Sequence, residues 1–276
     1  MLDLHMHSTA SDGTDTPREI VTKCAKLRLE LSAITDHDTI DAQREAIDTA
    51  KAHKIRYITG VEISVRHLGE LHLLGYGVDI ENEALKTMME DLRTSRVERV
   101  YAIIKALKEH NINITFEDVE RFAGGNTLGR PHVALALIEK GYAGDLQDAF
   151  VKYLNENGLC YVQRRKLNMQ QALDLILDAG GVPVLAHPKF VKTDDIASLV
   201  ADMKTLGLQG IEAYYPAHTD AEVKKYLDIA QANDLLVTQG SDYHGKMRPY
   251  AAIACEKRTG ERLTDSIKFL IQNYAI

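Results

Sequence analysis

Short apolar runs rich in β-formers alternate with longer amphipathic segments from the first residues of this chain onward, and no other property narrows its fold as far. Runs at 1–4 and 31–35 read as strands, separated by a helix that Thr16 opens with Pro17 at its first position; a second helix covers about 39–53. Residues 55–65 and 71–78 are both strand-like, and the polar link 66–70, with Gly69, joins them as a hairpin or tight excursion. After Tyr161 the alternation resumes: helix 169–179, strand 182–186, helix 194–206, strand 210–214, helix 220–233, strand 235–239 and a last helix 263–273. The pattern predicts a parallel α/β architecture. A length of 276 residues suits one large barrel of about 250 residues or two domains of roughly 150.

Between the two blocks, 83–157 carries no convincing strand and reads as successive helices broken at 111–115, 124–130 and 141–145. This divides the chain into a first barrel part (1–80), a helical insertion (81–160) and a second barrel part (161–276). Neither boundary has a Pro/Ser-rich linker, so the insertion is expected to pack tightly against the rest.

Composition excludes several classes. With 45% apolar and 26% charged residues the chain is an ordinary folded one, and 33 basic against 40 acidic residues, net −7, argues against a broad grip on duplex DNA. A locally basic pocket stays open. Cys24, Cys160 and Cys255 are far apart and odd in number, which suggests neither a metal knuckle nor a disulfide framework and fits a reducing compartment. The start lacks a charged n-region followed by an apolar h-region, and no run approaches about 18 apolar residues. The expectation is a cytoplasmic protein without a membrane partner; oligomeric state is unreadable.

Residues able to bind metals collect where a barrel places its chemistry. His5 and His7 are two apart at the end of the first strand, so the period of two puts both imidazoles on one face. His37, Glu62, His72, His187 and the pair Asp242 and His244 recur near the C-terminal ends of later strands, the end at which barrels gather catalytic groups. Six of the eleven histidines are used in this way. Counting Asp12, which could also simply form a turn with Gly13, the candidates exceed what one ion can use. Two or three divalent ions are implied, with Glu62 the natural bridge, and the mixed His/carboxylate set suits Mn, Zn or Fe.

These motifs resemble the polymerase and histidinol phosphatase (PHP) family of metal-dependent phosphoesterases. The matching segments are Asp3-Leu4-His5-Met6-His7-Ser8, Thr35-Asp36-His37-Asp38, the turn Gly60 to Glu62, His72, Ala186-His187-Pro188 and Ser241-Asp242-Tyr243-His244-Gly245, in the family's order. The resemblance implies a distorted (β/α)7, TIM-like barrel with an inserted helical subdomain. It also implies three metal positions: His5, His7, Glu62 and Asp242; Glu62, His72 and His187; Asp12, His37 and His244. Many trinuclear members carry histidine where this chain has Asp12.

The insertion, with Gly129-Arg130-Pro131-His132, looks like that of family members acting on nucleotides, the 3',5'-nucleoside bisphosphate phosphatases and related 5'-to-3' exoribonucleases of short RNA, and the resemblance implies that Arg130 and the residues around it, Gly129 and His132, hold phosphate. Arg130 offers a planar fork for phosphate beside the free N–H groups of a helix start, although a solvated arginine would look the same. Arg96 and Arg99, three apart, share a helix face and could meet a second phosphate or form a solvated stripe. Lys189 is a further candidate cation.

The reading is hydrolysis of the 3'-phosphate of a nucleoside 3',5'-bisphosphate, with manganese the first choice of ion. Metal ligation lowers the pKa of water toward ~7, Asp242 takes up or shuttles a proton, and His37 or His244 protonates the leaving oxygen. The alternatives are a short-RNA exoribonuclease, a histidinol-phosphate phosphatase, a deacylating amidohydrolase, or a regulatory or nucleic-acid-binding module with no turnover.

Overall fold

The computed structural model describes residues 1–123, 127–255 and 260–276. Seven strands alternate with helices, in the order β1 (Leu2–Asp3), α1 (Pro17–Lys26), β2 (Leu31–Ser32), α2 (Gln43–His53), β3 (Gly60–Val65), β4 (Leu71–Tyr76), then α3 (Glu83–Glu109), α4 (Phe116–Glu120), α5 (Arg130–Glu139) and α6 (Leu146–Ala149), then α7 (Met169–Asp178), β5 (Val182–Leu185), α8 (Ile196–Thr205), β6 (Gly210–Tyr214), α9 (Asp220–Ala232), β7 (Leu236–Gln239) and α10 (Glu261–Tyr274). Helix starts follow local chemistry. Thr16 caps α1 with its side chain, Glu19 returns the bond to the Thr16 N–H, and Pro17 fills the first turn; Thr219 and Glu222 repeat the device at α9.

The expected hairpin at 66–70 is present, and it makes the otherwise parallel sheet a mixed one. The ladders form a two-stranded parallel sheet, β1-β2, and a five-stranded sheet in the order β3-β4-β5-β6-β7, in which β4 runs antiparallel to both neighbours. The ladders do not close a barrel. Single bridges join the two sheets instead, Ser32 to Tyr57, His37 to Glu62 and Met6 to Tyr243. The reason is local: the five-residue link 66–70, with Gly69 at φ +75°, is too short for a crossover and forces a hairpin. The inversion matters, because the start of β4 then lies beside the end of β5, with Leu73 paired to Leu185 and the Ala186 N–H donating to the His72 carbonyl. Residues 55–59 contribute a bridge at Tyr57 rather than ladder, so β3 begins only at Gly60.

Among the described residues, 83–157 contains no strand. Its expected breaks at 111–115 and 141–145 fall between helices, with Thr115 and Asp145 capping α4 and α6; of the break at 124–130, residues 124–126 lie outside the described residues. α6 runs into a π-helical turn, Phe150–Leu154. Helix α3 is shared between two cores. Leu85, Met89 and Leu92 pack with the sheet, whereas Val100, Ile103 and Leu107 pack with Val119, Val133, Leu137 and Leu154. A third cluster, around Met6, Ile20, Ile34 and Tyr57, lies under α1 and α2.

Two cores on one helix predict separable losses. Leu107→Ala should cost about 2–5 kcal/mol, and hydrogen exchange should show protection lost first in α4 and α5; equal loss in β3 to β7 would show a single cooperative unit.

Candidate metal centre

All nine expected ligands converge on one buried site. Glu62, in the middle of β3 rather than at its end, is fully buried at the centre. Its Oε1 lies 2.8 Å from His72 Nδ1 and 3.0 Å from His187 Nε2, while its Oε2 lies 2.8 Å from His37 Nδ1, 3.2 Å from His7 Nε2 and 3.4 Å from His5 Nε2. Asp242 Oδ1 stands 3.2 Å from His7 Nε2 and 3.6 Å from His5 Nε2. Asp12 is drawn in as well, Oδ1 3.3 Å from His244 Nε2 and Oδ2 4.0 Å from His37 Nε2, and the turn it forms with Gly13 serves to aim it there.

These atoms fall into groups compact enough for a cation: His7, Asp12, His37 and His244; His5, His7 and Asp242; His5, Glu62 and His187; His37, Glu62 and His72. Against the grouping by resemblance, the Asp12, His37 and His244 set gains His7, the His5, His7 and Asp242 set lacks Glu62, and the third set divides, His187 joining Glu62 with His5 and His72 joining Glu62 with His37. The donors fit divalent metal ions on a further ground. His5 Nε2, His7 Nε2, Asp12 Oδ1, Glu62 Oε2, Asp242 Oδ1 and His244 Nε2 are buried atoms without a hydrogen-bond partner among the described residues, a costly state for ordinary structural polar groups.

Residues outside the expected set orient these donors. Glu212 Oε1 lies 3.0 Å from His5 Nδ1 and its Oε2 accepts the His187 N–H at 2.8 Å, so the His5 proton is held at Nδ1 and the Nε2 lone pair faces inward. His244 Nδ1 lies 2.8 Å from the Asp242 carbonyl, which leaves its Nε2 lone pair toward Asp12. Tyr215 donates to Asp242 Oδ2 at 2.8 Å, and Arg248 is ion-paired with the same oxygen. Asp36 accepts from the Ser8 N–H at 2.8 Å and from Ser11 Oγ at 2.5 Å, holding the loop that carries Asp12. Asp38, His187 and Asp242 have positive φ, 53°, 26° and 54°, strain of about 1–3 kcal/mol each of the kind that persists only where the surroundings impose it. A lone Glu inside the apolar strand Gly210–Tyr214 was the one sequence signal for Glu212.

The electrostatics suit cations. Burial would push the Glu62 carboxyl up, yet His37, His72 and His5 hold it well below the usual range; Asp242 is held low against burial by Arg248, His244 and His5. His7 is pushed up to about 9 despite burial, by Asp242 and Glu62, whereas burial takes His37 down to about 4. The site draws positive charge at its middle and keeps His37 neutral, as a ligand must be.

A cavity of about 290 Å³ opens over this cluster, lined by Asp12, His37, His72, His187 and Asp242 and also by Arg96, Arg99, Arg130, Arg164 and Lys166. Gly129, too, lines it. Arg130 is not a solvated helix-start residue: its Nη1 donates to the Leu154 carbonyl at 3.1 Å and its guanidinium sits 5.5 Å from the Phe150 ring. Arg99 donates to the Val162 carbonyl at 2.6 Å, and Arg96 is tied to Asp38, so neither belongs to a solvated stripe. His132 is buried beneath α5, its Nδ1 accepting the Gly129 N–H at 3.1 Å, which makes it a helix-start brace. Lys189 faces away, bonded to the Ala217 carbonyl and Glu222. Arg164 and Lys166 were not anticipated; nothing in their local sequence points to a site.

The PHP domain family matches residues 3–160. The chain belongs to the PHP family. A 3',5'-nucleoside bisphosphate phosphatase of Chromobacterium violaceum is 32% identical over 249 residues, 88% of this chain and 87% of that protein. The 5'-3' exoribonuclease Rnm of Salmonella typhimurium is 34% identical over 248 residues, 88% and 84% of the two chains. A structure from Bifidobacterium adolescentis, assigned as a metal-dependent phosphoesterase, superposes with TM-score 0.87 at 30% identity over 98% of this chain and 95% of that one. This PHP chain is thus a metal-dependent phosphoesterase in class, and among the described residues no helix is long and apolar enough to cross a membrane.

Two outcomes follow for the PHP site. Glu212→Gln should weaken retention of divalent metal by about 10–100-fold, read as metal content after dialysis against graded chelator. Burial and nearby Arg164 push the Lys166 ammonium down to about 8. Its charge is therefore present below that pH and lost above it, so calorimetry on metal-free protein should show affinity for inorganic phosphate falling as pH rises from 7 to 9, by about tenfold on the scale of one charge-assisted bond, and Lys166→Met should flatten the change.

Proposed function

We propose that this protein hydrolyses the 3'-phosphate of nucleoside 3',5'-bisphosphates. The observation that carries this reading is the shared cavity, where five of the expected metal ligands and six cationic side chains line one space of about 290 Å³, the size and charge expected for a small substrate bearing two phosphates. The relatives named for bisphosphate nucleotides and RNA support the same class.

Divalent ions held by the nine residues, manganese the first choice, would activate water and offset charge on the phosphoryl oxygens. The chain supplies the rest. Asp242 has Oδ2 engaged by Tyr215 and Arg248, which leaves Oδ1 as the acceptor for a proton. His244 spends its Nδ1 proton on a backbone carbonyl, and His37, which stands among the metal ligands as His244 does, lines the cavity; whichever of the two an ion leaves uncommitted protonates the leaving oxygen. Arg130, on Gly129 at the start of α5, contacts phosphate through the guanidinium edge left free by Leu154. Residues 81–160 act as an inserted subdomain between the parts 1–80 and 161–276, and the protein works in the cytoplasm.

A second reading has its own support. A neighbouring cavity of about 580 Å³ shares Arg99, Arg130, Phe150, Arg164 and Lys166 with the first and continues to Arg66, Tyr161 and Lys192. A cationic track with aromatic faces suits the end of a short single strand.

Manganese-reconstituted protein should release phosphate from adenosine 3',5'-bisphosphate faster than from 5'-AMP, 3'-AMP or histidinol phosphate. Arg130→Ala should lower kcat/KM by about 10–100-fold, the scale of one lost charged hydrogen bond. Cleavage confined to a 5'-phosphorylated trinucleotide would transfer the assignment to the exoribonuclease reading.

A further inference from the structure

Asp38 follows His37 directly and takes no part in the metal cluster. It is fully buried. Its Oδ1 accepts the Ser64 N–H at 2.9 Å; its Oδ2 accepts from Arg96 Nε at 3.0 Å, Arg96 Nη2 at 2.5 Å and Arg164 Nη2 at 2.6 Å. One carboxylate therefore fixes two guanidinium groups from distant parts of the chain, Arg96 on α3 and Arg164 on the segment before α7. Both line the cavity over the metal cluster.

The clamp is unfinished on one side. Arg164 Nη1 is buried and has no hydrogen-bond partner among the described residues, although its side chain is only 4% exposed. A buried charged donor of this kind calls for an acceptor. The charge around it is in excess: Arg96, Arg99, Arg130, Arg164 and Lys166 stand near Asp38 and Glu70, while the other carboxylates of the cavity, Asp12 and Asp242, belong to the ligand cluster. Burial and mutual repulsion press Arg99 down to about 9 and, against the pull of Asp38, Arg164 to about 10, the cost of crowding cations in a buried place.

We propose that Asp38 is a positioning residue that presets Arg96 and Arg164, and that Arg164 Nη1 recognises the substrate phosphate that is not hydrolysed. This rests on the two-phosphate reading above. Because Asp38 is bonded through one peptide to His37, the clamp sits at a set distance from the metal cluster and selects substrates by the separation of their phosphates. Holding two long side chains in advance removes ordering entropy that binding would otherwise carry.

The test uses the full chain and three variants, Asp38→Asn, Arg164→Gln and Arg164→Lys. Calorimetry measures 5'-AMP binding to chelator-treated protein, and kinetics on manganese-loaded protein gives the ratio of kcat/KM for adenosine 3',5'-bisphosphate over 3'-AMP. Asp38→Asn and Arg164→Gln should each weaken 5'-AMP binding at least tenfold and cut the ratio similarly, through KM more than kcat, with Arg164→Lys recovering part of the loss. A folded Asp38→Asn protein with normal metal content, unchanged binding and an unchanged ratio would overturn the positioning role. Should Asp38→Asn not fold, Arg164→Gln decides: unaltered 5'-AMP binding overturns the clamp. If the wild type ignores the bisphosphate, the substrate reading fails by itself, and 5'-AMP binding still decides the clamp, lost in Arg164→Gln if it is right. No binding by wild type overturns it.

Discussion

Glu62 sits where a carboxylate is hardest to keep ionised, at the buried centre of the molecule, and among the described residues no lysine or arginine pairs with it. Five imidazoles surround it instead, two on one oxygen and three on the other. The distances are short enough that the position of any one ring is felt by the rest. Elements that seem remote from chemistry, such as the inverted strand β4 or the buried Glu212, exist in the arrangement because they bring a ring to Glu62 or turn one toward it.

Much of this was legible before any coordinates. Period two placed His5 and His7 together, and the ligand candidates chosen on residue type and position all arrive at one site. The helical stretch and its breaks were visible as punctuation, since Thr115, Gly141 and Asp145 do locally what their types suggest. What failed did so for tertiary reasons. The hairpin at 66–70 was readable, but not that β4 would also lie antiparallel beside β5, and the strand at 55–65 was overextended because Tyr57 makes a single bridge that looks like ladder in sequence. Arg164 and Lys166 lie in an irregular segment with no period to read, and Glu212 showed only as one acidic residue in an apolar strand. Sequence could place Arg96 and Arg99 on a common face; it could not show that other groups already hold them.

The stretch Thr35 to Asp38 shows how closely the functions are interleaved. Asp36 points back to the loop of Ser8 and Ser11, His37 enters the metal cluster, and Asp38 reaches the arginines. Consecutive side chains beyond a strand end diverge in direction, so three neighbouring residues serve three different neighbours. The positive φ of Asp38 belongs to this divergence, since it re-aims the chain toward Ser64 and the arginines.

Helix α3 carries a consequence of another kind. Its 27 residues form a rod of about 40 Å at 1.5 Å per residue. The front half is seated in the core beneath the metals and the rear half in the helical cluster, and Arg96 falls at the junction. The sheet core and the helical cluster are thereby joined by one stiff beam. A rod of this kind carries any tilt of the helical cluster directly to Arg96 and, through Asp38, to the backbone beside His37.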